Sequence, residues 1–556
     1  MNLRIAQLNY KIADFEGNLA KMSLAVKQAA AHGVDLIIFS ELSICGYPPL
    51  DMLEQQSFID ECQDAVQRLA KKTSEVGVIV GAPAYNPNDK GKRLYNAAYL
   101  LYAGKIQEIR YKTLLPTYDV FDEYRYFEPN SEFEPVEFKG VRIALTICED
   151  IWDDQPVENT FDRPQLYPLS PMDQLVKKNP DLMINISASP FAANRLMIRE
   201  QVLRKNVLKY GIPILYSNQV GAHTELIFDG SSMALDSYGQ VVGHLSSFAE
   251  DSMTFLLEDL LHPKSGRAQV GRQILSDEYR MEMIYKALIF GIKDYFRKMG
   301  FQRAVLGLSG GMDSALTLVL AVKALGPENV LPVLMPSHYS SDHSVTDSIQ
   351  LCKALNISWE TIPIDPVITA FSMQLIPLFQ GLAEDVTEEN IQARTRGVLL
   401  MALANKQNRI LLNTSNKSEM AVGYSTLYGD LNGGLAVLGD VYKTDIYRLA
   451  AFINKNQEII PLHIIQKPPS AELRRGQLDS DSLPDYPLLD AILYRLIEMK
   501  MSVNEIVMDG YEETQVKKTA SLLNKSEYKR FQAPPILRVS SKAFGTGRRM
   551  PLVAKF

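Results

Sequence analysis

Cysteine is scarce in this chain. Cys45, Cys62, Cys148 and Cys352 are the four in 556 residues, and no two share a C-x-x-C spacing. Neither a disulfide framework nor a cysteine zinc site organises such a sequence. Long apolar runs are missing too: a stretch such as 316–322 falls far short of the ~20 residues that cross a bilayer. The first residues, MNLRIAQLNY, alternate like a strand and lack the apolar core of a signal peptide. Positive charge is not in excess. The 58 Lys and Arg face 65 Asp and Glu, a net charge of −7, which argues against a surface that coats nucleic acid. No short repeat or helical solenoid is present. The expectation is a cytoplasmic enzyme with no membrane and no nucleic-acid partner.

What is present is an ordinary globular composition, 46% apolar and 22% charged. The length exceeds the ~250–300 residues at which one core stops growing, so two or more domains are expected. The most informative stretch is 304–319, AVLGLSGGMDSALTLV. An apolar strand at 304–306 runs into small residues, then into an apolar helix beginning near Asp313. Gly310 and Gly311 carry no Cβ, so the backbone from Ser309 to Ser314 can curl with its N–H groups converging. The helix behind adds the positive end of its dipole, and phosphate is the natural ligand. No Lys follows the glycines, which excludes the G-x-x-x-x-G-K-[ST] loop. Asp313 is placed to hold Mg²⁺ against a pyrophosphate. A lone S-G-G would mean no more than a turn. The full S-G-G-x-D-S resembles the pyrophosphate loop of the N-type ATP pyrophosphatases, which cleave ATP between the α and β phosphates and adenylate a substrate oxygen.

The first half alternates strands and helices. Strand-like runs fall at 3–8, 35–39, 76–80, 141–147, 181–186 and 212–217, and helical patterns at 18–32 and 56–73. A hairpin-like stretch at 96–113 predicts a mixed sheet. Glu41, Lys112 and Cys148 each follow a strand, and strand ends are where α/β sheets build sites. A carboxylate can take the proton of a thiol, and an ammonium favours the thiolate and then the oxyanion. Taken singly, Cys148 reads as a small buried hydrophobe, Glu41 as a cap and Lys112 as a solvated charge. Taken together, with LPTYDVFDEYRYFEP at 115–129 and NISASPF at 185–191, they resemble the nitrilase superfamily, in particular its glutamine-amidase branch. That resemblance covers 1–260 and implies an αββα sandwich. It implies Cys148 as nucleophile on the glutamine amide and Glu41 as base, then acid. Lys112 and the Glu149 N–H would hold the oxyanion, and Tyr118, Ser189 and Arg195 would contact glutamine. Tyr118 is also open to a plain core role. The Pro-rich stretch 155–172 reads as a loop near the thiol.

A linker is expected within 256–274, centred on HPKSG. An amphipathic helix follows at 276–299, then strand 304–306, strand 330–335, helix 344–355 and strand 359–364. This is the doubly wound pattern of a parallel sheet with a nucleotide at the strand C-termini. Polar signatures follow: ENIQARTR at 389–396, NTSNKSE at 413–419, YGD…GG…GD…KT across 428–444, KPPSAEL at 467–473 and EYKR at 527–530. For any one of these residues a cap or turn is an open alternative. Their order resembles the NAD synthetases. That resemblance implies ATP at Gly307, Leu308, Ser309, Gly310, Gly311, Met312, Asp313, Ser314, Thr414, Lys443 and Ser470. It implies Mg²⁺ at Asp313 and Glu419, and deamido-NAD at Asn390, Arg394, Glu419 and Lys529. One departure is Leu427, where stand-alone members often carry Lys. The stretch 474–486, rich in Asp and Ser, reads as a mobile loop.

The expected layout is an amidase domain at 1–260, a linker at 261–275, an ATP pyrophosphatase domain at 276–540 and a tail at 541–556. The joint resemblance implies that glutamine, ATP and deamido-NAD are the partners. Ammonia freed from glutamine would convert deamido-NAD to NAD, with AMP, pyrophosphate and glutamate as by-products. It also implies a homo-oligomer formed through the second domain. The alternatives are a nitrilase domain feeding another adenylating ligase, and a scaffold that kept the fold without the chemistry.

Overall fold

A computed structural model describes residues 1–153, 166–263, 276–474 and 476–555. The chain divides into two compact units, Met1–Ile274 and Leu275–Phe556. No helix among the described residues is long and apolar enough to cross a membrane.

The first unit holds two six-stranded sheets. One runs in the order Asp251–Leu256, Asn2–Gln7, Leu36–Ile38, Gly77–Tyr85, Leu94–Tyr102, Lys105–Tyr111. The other runs Val241–His244, Met233–Leu235, Ile214–Asn218, Leu182–Ser187, Val141–Ile147, Val136–Phe138. Each sheet is mixed: Asn2–Gln7, Leu36–Ile38 and Gly77–Tyr85 pair in parallel, and the hairpin at 94–111 is antiparallel. Alternation along the strands sorts side chains into layers. Leu3, Ile5, Leu36 and Ile38 share a core with Ile143, Leu145 and Ile184, which is the seam between the two sheets. Ile37 and Phe39 face the other way, onto Leu19, Met22 and Val66 of the helices Phe15–Ala31 and Gln56–Ala70. Ala144 and Met183 pack on Val202, Leu203 and Val207 of the helix Arg195–Tyr210. Helix, sheet, sheet, helix is the αββα sandwich.

The second unit is built on a five-stranded parallel sheet, in the order Glu360–Thr361, Val330–Leu334, Ala304–Gly307, Ile410–Asn413, Leu435–Ala436. The chain winds outward from Ala304–Gly307 in one direction and then in the other. The order therefore reverses between that strand and Ile410–Asn413, and the loops leaving their C-terminal ends part to open a crevice.

Two expectations need correction. Residues 257–261, read as linker, form a helix whose Leu257 and Leu260 are buried in the sheet–sheet core; the rest of that stretch, 264–274, lies outside the described residues. The stretch read as mobile is folded where described: Asp479–Asp481 is a helical turn, Asp479 and Leu483 are buried, and Tyr486 donates to the Asp479 carboxylate. Three Asp and two Ser look like loop in sequence, but a tyrosine donor makes one of those carboxylates an interior group.

Candidate active sites

In the first unit, Cys148 is the residue after strand Val141–Ile147 and opens the helical turn Cys148–Ile151. Its φ is +46°, in the left-handed region where a residue with a Cβ is strained. Asp150 clamps this turn. Its carboxylate accepts from the N–H groups of Ile147 (3.0 Å), Thr113 (2.9 Å) and Leu114 (2.8 Å), joining the segment after Lys112 to the segment after the strand. Burial pushes the Asp150 carboxyl up to about 7 against those bonds.

Lys112 is fully buried. Its ammonium donates to Glu41 Oε1 at 2.7 Å and to Glu123 Oε1 at 2.9 Å. Asn96 also donates to Glu41 Oε1 (2.8 Å), and the Ala188 N–H donates to Oε2 (2.9 Å). Tyr47 donates to Glu123 at 2.9 Å. Gly81 makes room for the Glu41 segment: a Cβ there would lie 2.3 Å from the Leu42 nitrogen and 2.8 Å from Glu41 Cα. Burial alone would lower the pKa of Lys112, but Glu123 and Glu41 outweigh it and hold it well above the usual value. Burial also pushes the Cys148 thiol well up, with Glu41 adding and Lys112 opposing. The thiol therefore rests protonated, and a base must take its proton. Glu123 is pushed up to about 7 by burial, against Lys112 and with Glu41.

In the second unit, the loop after Ala304–Gly307 turns at Gly310, φ +78°, where a Cβ would lie 2.5 Å from the Ser344 carbonyl oxygen. Gly311 N–H donates to Ser309 Oγ and Ser309 N–H to Ser314 Oγ, both at 3.2 Å. The helix Met312–Leu325 starts directly behind. Ser309, Asp313, Thr414, Lys443 and Ser470 line one cleft between the two central loops. The Lys443 ammonium hydrogen-bonds Asp313 and lies 3.7 Å from Glu419 Oε1, and Asn416 Nδ2 donates to Asp313 at 3.0 Å. Burial pushes Glu419 up to about 8, with the charge of Asp313 adding. Two carboxylates, Asp313 and Glu419, that converge on one ammonium fit a hard divalent ion. No group of three or more such donors occurs among the described residues. A Mg²⁺ site of one or two carboxylates completed by phosphate and water is the arrangement this donor set can support.

Residues 2–258 match the carbon-nitrogen hydrolase family and residues 284–533 the NAD synthase family. A glutamine-dependent NAD(+) synthetase of Synechocystis sp. is 44% identical over 559 residues, spanning 100% of this chain and 99% of that one. This chain belongs to the glutamine-dependent NAD(+) synthetase family. A member from Thermotoga maritima is 40% identical, spanning 100% and 99% of the two chains. The solved glutamine-dependent NAD+ synthetase of Acinetobacter baumannii, in complex with adenosine diphosphate, is 34% identical. It superposes with a TM-score of 0.76, over 99% of this chain and 98% of that one. The expected succession of nitrilase-like sandwich and doubly wound sheet agrees with this membership.

The expected residues fall into place unevenly. Glu41 and Lys112 are joined by a hydrogen bond, and their charges act on Cys148. Tyr118 is not a plain core aromatic: its hydroxyl donates to Glu149 Oε1 at 2.8 Å. Arg195 stacks over Trp152, its guanidinium carbon 4.6 Å from the ring centroid. Ser189 is buried, with Oγ and its carbonyl 3.5 Å from the Arg199 guanidinium, which is itself paired with Asp229. Gly307, Leu308, Gly311, Met312 and Ser314 line the second cleft, whereas Gly310 serves the turn. Asn390, Arg394 and Lys529 gather on one loop. Asn390 accepts from Thr426 (2.7 Å), Arg394 donates to the Leu427 carbonyl (3.2 Å), and Lys529 donates to the carbonyls of Gly423 and Ser425 (2.7 Å each). Leu427 thus takes part through its backbone. Of the Pro-rich stretch, 155–165 lies outside the described residues, and Tyr167 donates to Glu149 Oε1 at 3.0 Å.

Sequence reasoning gave no role to Glu123, Asp150, Asn416 or the Glu149 side chain. Their signal lies in position. Glu123 falls inside the 115–129 stretch, Glu149 and Asp150 directly follow the cysteine, and Asn416 stands three residues before Glu419, the spacing of a capping box, which it forms.

Proposed function

We propose that this chain converts deamido-NAD to NAD, with ATP activating the nicotinate carboxylate and glutamine supplying ammonia. What carries this reading is the pairing of two sites on one chain: the buried Glu41–Lys112–Cys148 cluster, and the glycine turn facing Asp313, Glu419 and Lys443. In the first unit Glu41 takes the thiol proton as Cys148 Sγ attacks the side-chain amide carbon of glutamine. Lys112 and the Glu149 N–H hold the oxyanion. The carbon–nitrogen bond breaks, the proton passes from Glu41 to the leaving nitrogen, and ammonia departs from a thioester. Glu41 then deprotonates water, which releases glutamate and restores the thiol. Tyr118, Ser189 and Arg195 orient the substrate, Arg195 through its fork on the α-carboxylate.

In the second unit a nicotinate oxygen attacks the α-phosphorus of ATP. Pyrophosphate leaves into the turn from Gly307 to Ser314, with Lys443, Thr414 and Ser470 around the triphosphate. Ammonia displaces AMP from the acyl adenylate and forms the amide. Asn390, Arg394, Glu419 and Lys529 hold the dinucleotide. Mg²⁺, when bound by Asp313 and Glu419, would neutralise phosphate charge. We assign the amidase to the first unit and the synthetase to the second, whose core includes Ala543 and Phe544 beyond the expected boundary at 540. The chain works in the cytoplasm as a homo-oligomer. Self-association through the second unit is supported by the helix Asp365–Phe379, which buries none of its residues and exposes Phe371, Met373, Ile376 and Leu378.

The test is product stoichiometry. With glutamine, ATP and deamido-NAD, pyrophosphate, AMP and NAD are expected in equal amounts. Pyrophosphate release that ignores deamido-NAD but responds to another carboxylate would reject the reading.

A further inference from the structure

We propose that Gln392 and Gln477 are positioning residues that tie the helix Val386–Gln407 to the segment 467–474, so that ATP and deamido-NAD each strengthen the binding of the other; this rests on the two-substrate reading of the second unit above. The helix carries Asn390 and Arg394, and the segment carries Ser470. Gln392 stands between those two helix residues and is 3% exposed. Its Nε2 donates to the Leu473 carbonyl at 2.9 Å, and its Oε1 accepts from Ser337 Oγ at 3.4 Å. The Leu473 N–H donates to Gln477 Oε1 at 2.9 Å. Both backbone groups of Leu473 are therefore held by glutamine side chains. Gln477 also reaches the helix, its Nε2 donating to Glu389 Oε2 at 3.4 Å, and its carbonyl accepts from Ser470 Oγ at 2.5 Å.

The tie matters because neither partner is anchored by a core. No residue of 467–474 is buried, and none of 386–391 is. Burial in the helix begins at Gln392. Elements that bury little apolar surface open locally at low cost, so polar bonds decide where these two lie. On its other side the segment is fastened beside the glycine turn. Glu472 accepts from Ser341 Oγ (3.0 Å) and Ser344 Oγ (2.9 Å), and the Ser344 carbonyl is the group that faces Gly310. A triphosphate held by the turn and Ser470 steadies the segment, and a dinucleotide held by Asn390 and Arg394 steadies the helix end. With the two glutamines joining them, whichever ligand binds first bears the cost of ordering both.

The test is calorimetric titration of the full chain, in Mg²⁺, with α,β-methylene-ATP, which resists cleavage between the α and β phosphates. The titration is run without and with saturating deamido-NAD. In the wild-type chain the dinucleotide should tighten the analogue by roughly 3–10-fold, the worth of one hydrogen bond. Gln392→Met keeps the length of the side chain and removes both its bonds. It should bring that factor down to about one, while each ligand alone binds within about threefold of wild type. A wild-type chain without coupling, or a Gln392→Met chain that keeps it, would overturn the proposal. Coupling lost only together with the binding of either ligand alone would mark a merely structural role and overturn it too. Should Gln392→Met fail to fold, Gln477→Glu decides. It keeps the acceptor for the Leu473 N–H and sets a carboxylate against Glu389, so lost coupling supports the tie and retained coupling overturns it. An analogue that binds in neither condition would overturn the two-substrate reading itself, which separates the two failures.

Discussion

Replacing Lys417 with Met should damage stability before it touches catalysis. Lys417 sits within 413–419, beside Thr414 and Glu419 of the nucleotide cleft. Its side chain is nevertheless fully buried. The ammonium donates to Glu498 at 2.5 Å, to Ser540 Oγ at 2.8 Å and to the Lys542 carbonyl at 2.8 Å, and lies 2.9 Å from Asp440. Met keeps the length and removes the charge. Asp440 would keep three donors, the N–H groups of Val539 and Ser540 and the Ser540 hydroxyl. Among the described residues, Glu498 would keep only Tyr442. Breaking a buried pair from one side costs about 3–5 kcal/mol, and most of that should fall on Glu498. For a unit of this size the cost corresponds to a fall in Tm of roughly 6–15 °C. Scanning calorimetry of the full chain reads it directly. Lys417→Met combined with Glu498→Met should recover a large part, because removing both partners leaves no uncompensated charge. A single variant melting within about 2 °C of wild type, or a double variant losing the sum of both single costs, would refute the reasoning.

Glu123→Gln should flatten the pH dependence of glutamine hydrolysis around neutrality. Burial raises this carboxyl from 4.5 to about 7, so below that pH it is neutral and leaves Lys112 to Glu41 alone. The variant should lose about tenfold or more at pH 8; a limb near 7 that persists would contradict this. The same shift lets the folded unit hold a proton that the unfolded chain has released between 4.5 and 7. The contribution of Glu123 to stability therefore falls as pH rises across that window, and melting scans of Glu123→Gln should lack that fall. Gly310→Ala should abolish pyrophosphate release, because its Cβ would press to 2.5 Å on the Ser344 carbonyl at a φ of +78°; normal ATP affinity would speak against the turn geometry. Asp313→Asn should remove glutamine- and ammonium-supported NAD formation together, and surviving ammonium-supported turnover would argue against its place in the cleft.

Much of this was legible because local patterns report local geometry. A strand, two glycines and an apolar helix spell the 304–319 turn wherever they fold, and three strands end at Glu41, Lys112 and Cys148 whichever strands neighbour them. The remainder depends on which segments meet. Glu123 becomes part of the cluster only because its segment folds back onto Lys112 and Tyr47. Asp150 becomes a clamp only when the segment after Lys112 lies against the cysteine turn. Lys417 and Lys443 look alike in sequence, as polar residues beside glycines and hydroxyls. One is a buried brace and the other faces the cleft, because Glu498, 81 positions away, comes to the first. The linker expectation failed at 257–261 for a similar reason: Leu257 and Leu260 find a core that the His-Pro-Lys-Ser-Gly composition does not announce.

The central claim is a division of labour between a thiol that frees ammonia and a nucleotide cleft that consumes it. The most direct measurement is NAD formation by Cys148→Ala, with glutamine or with a high concentration of ammonium as nitrogen source. The account predicts no NAD from glutamine and a wild-type-like rate from ammonium. Loss of both activities in a folded protein, or retention of the glutamine-supported rate, would contradict it.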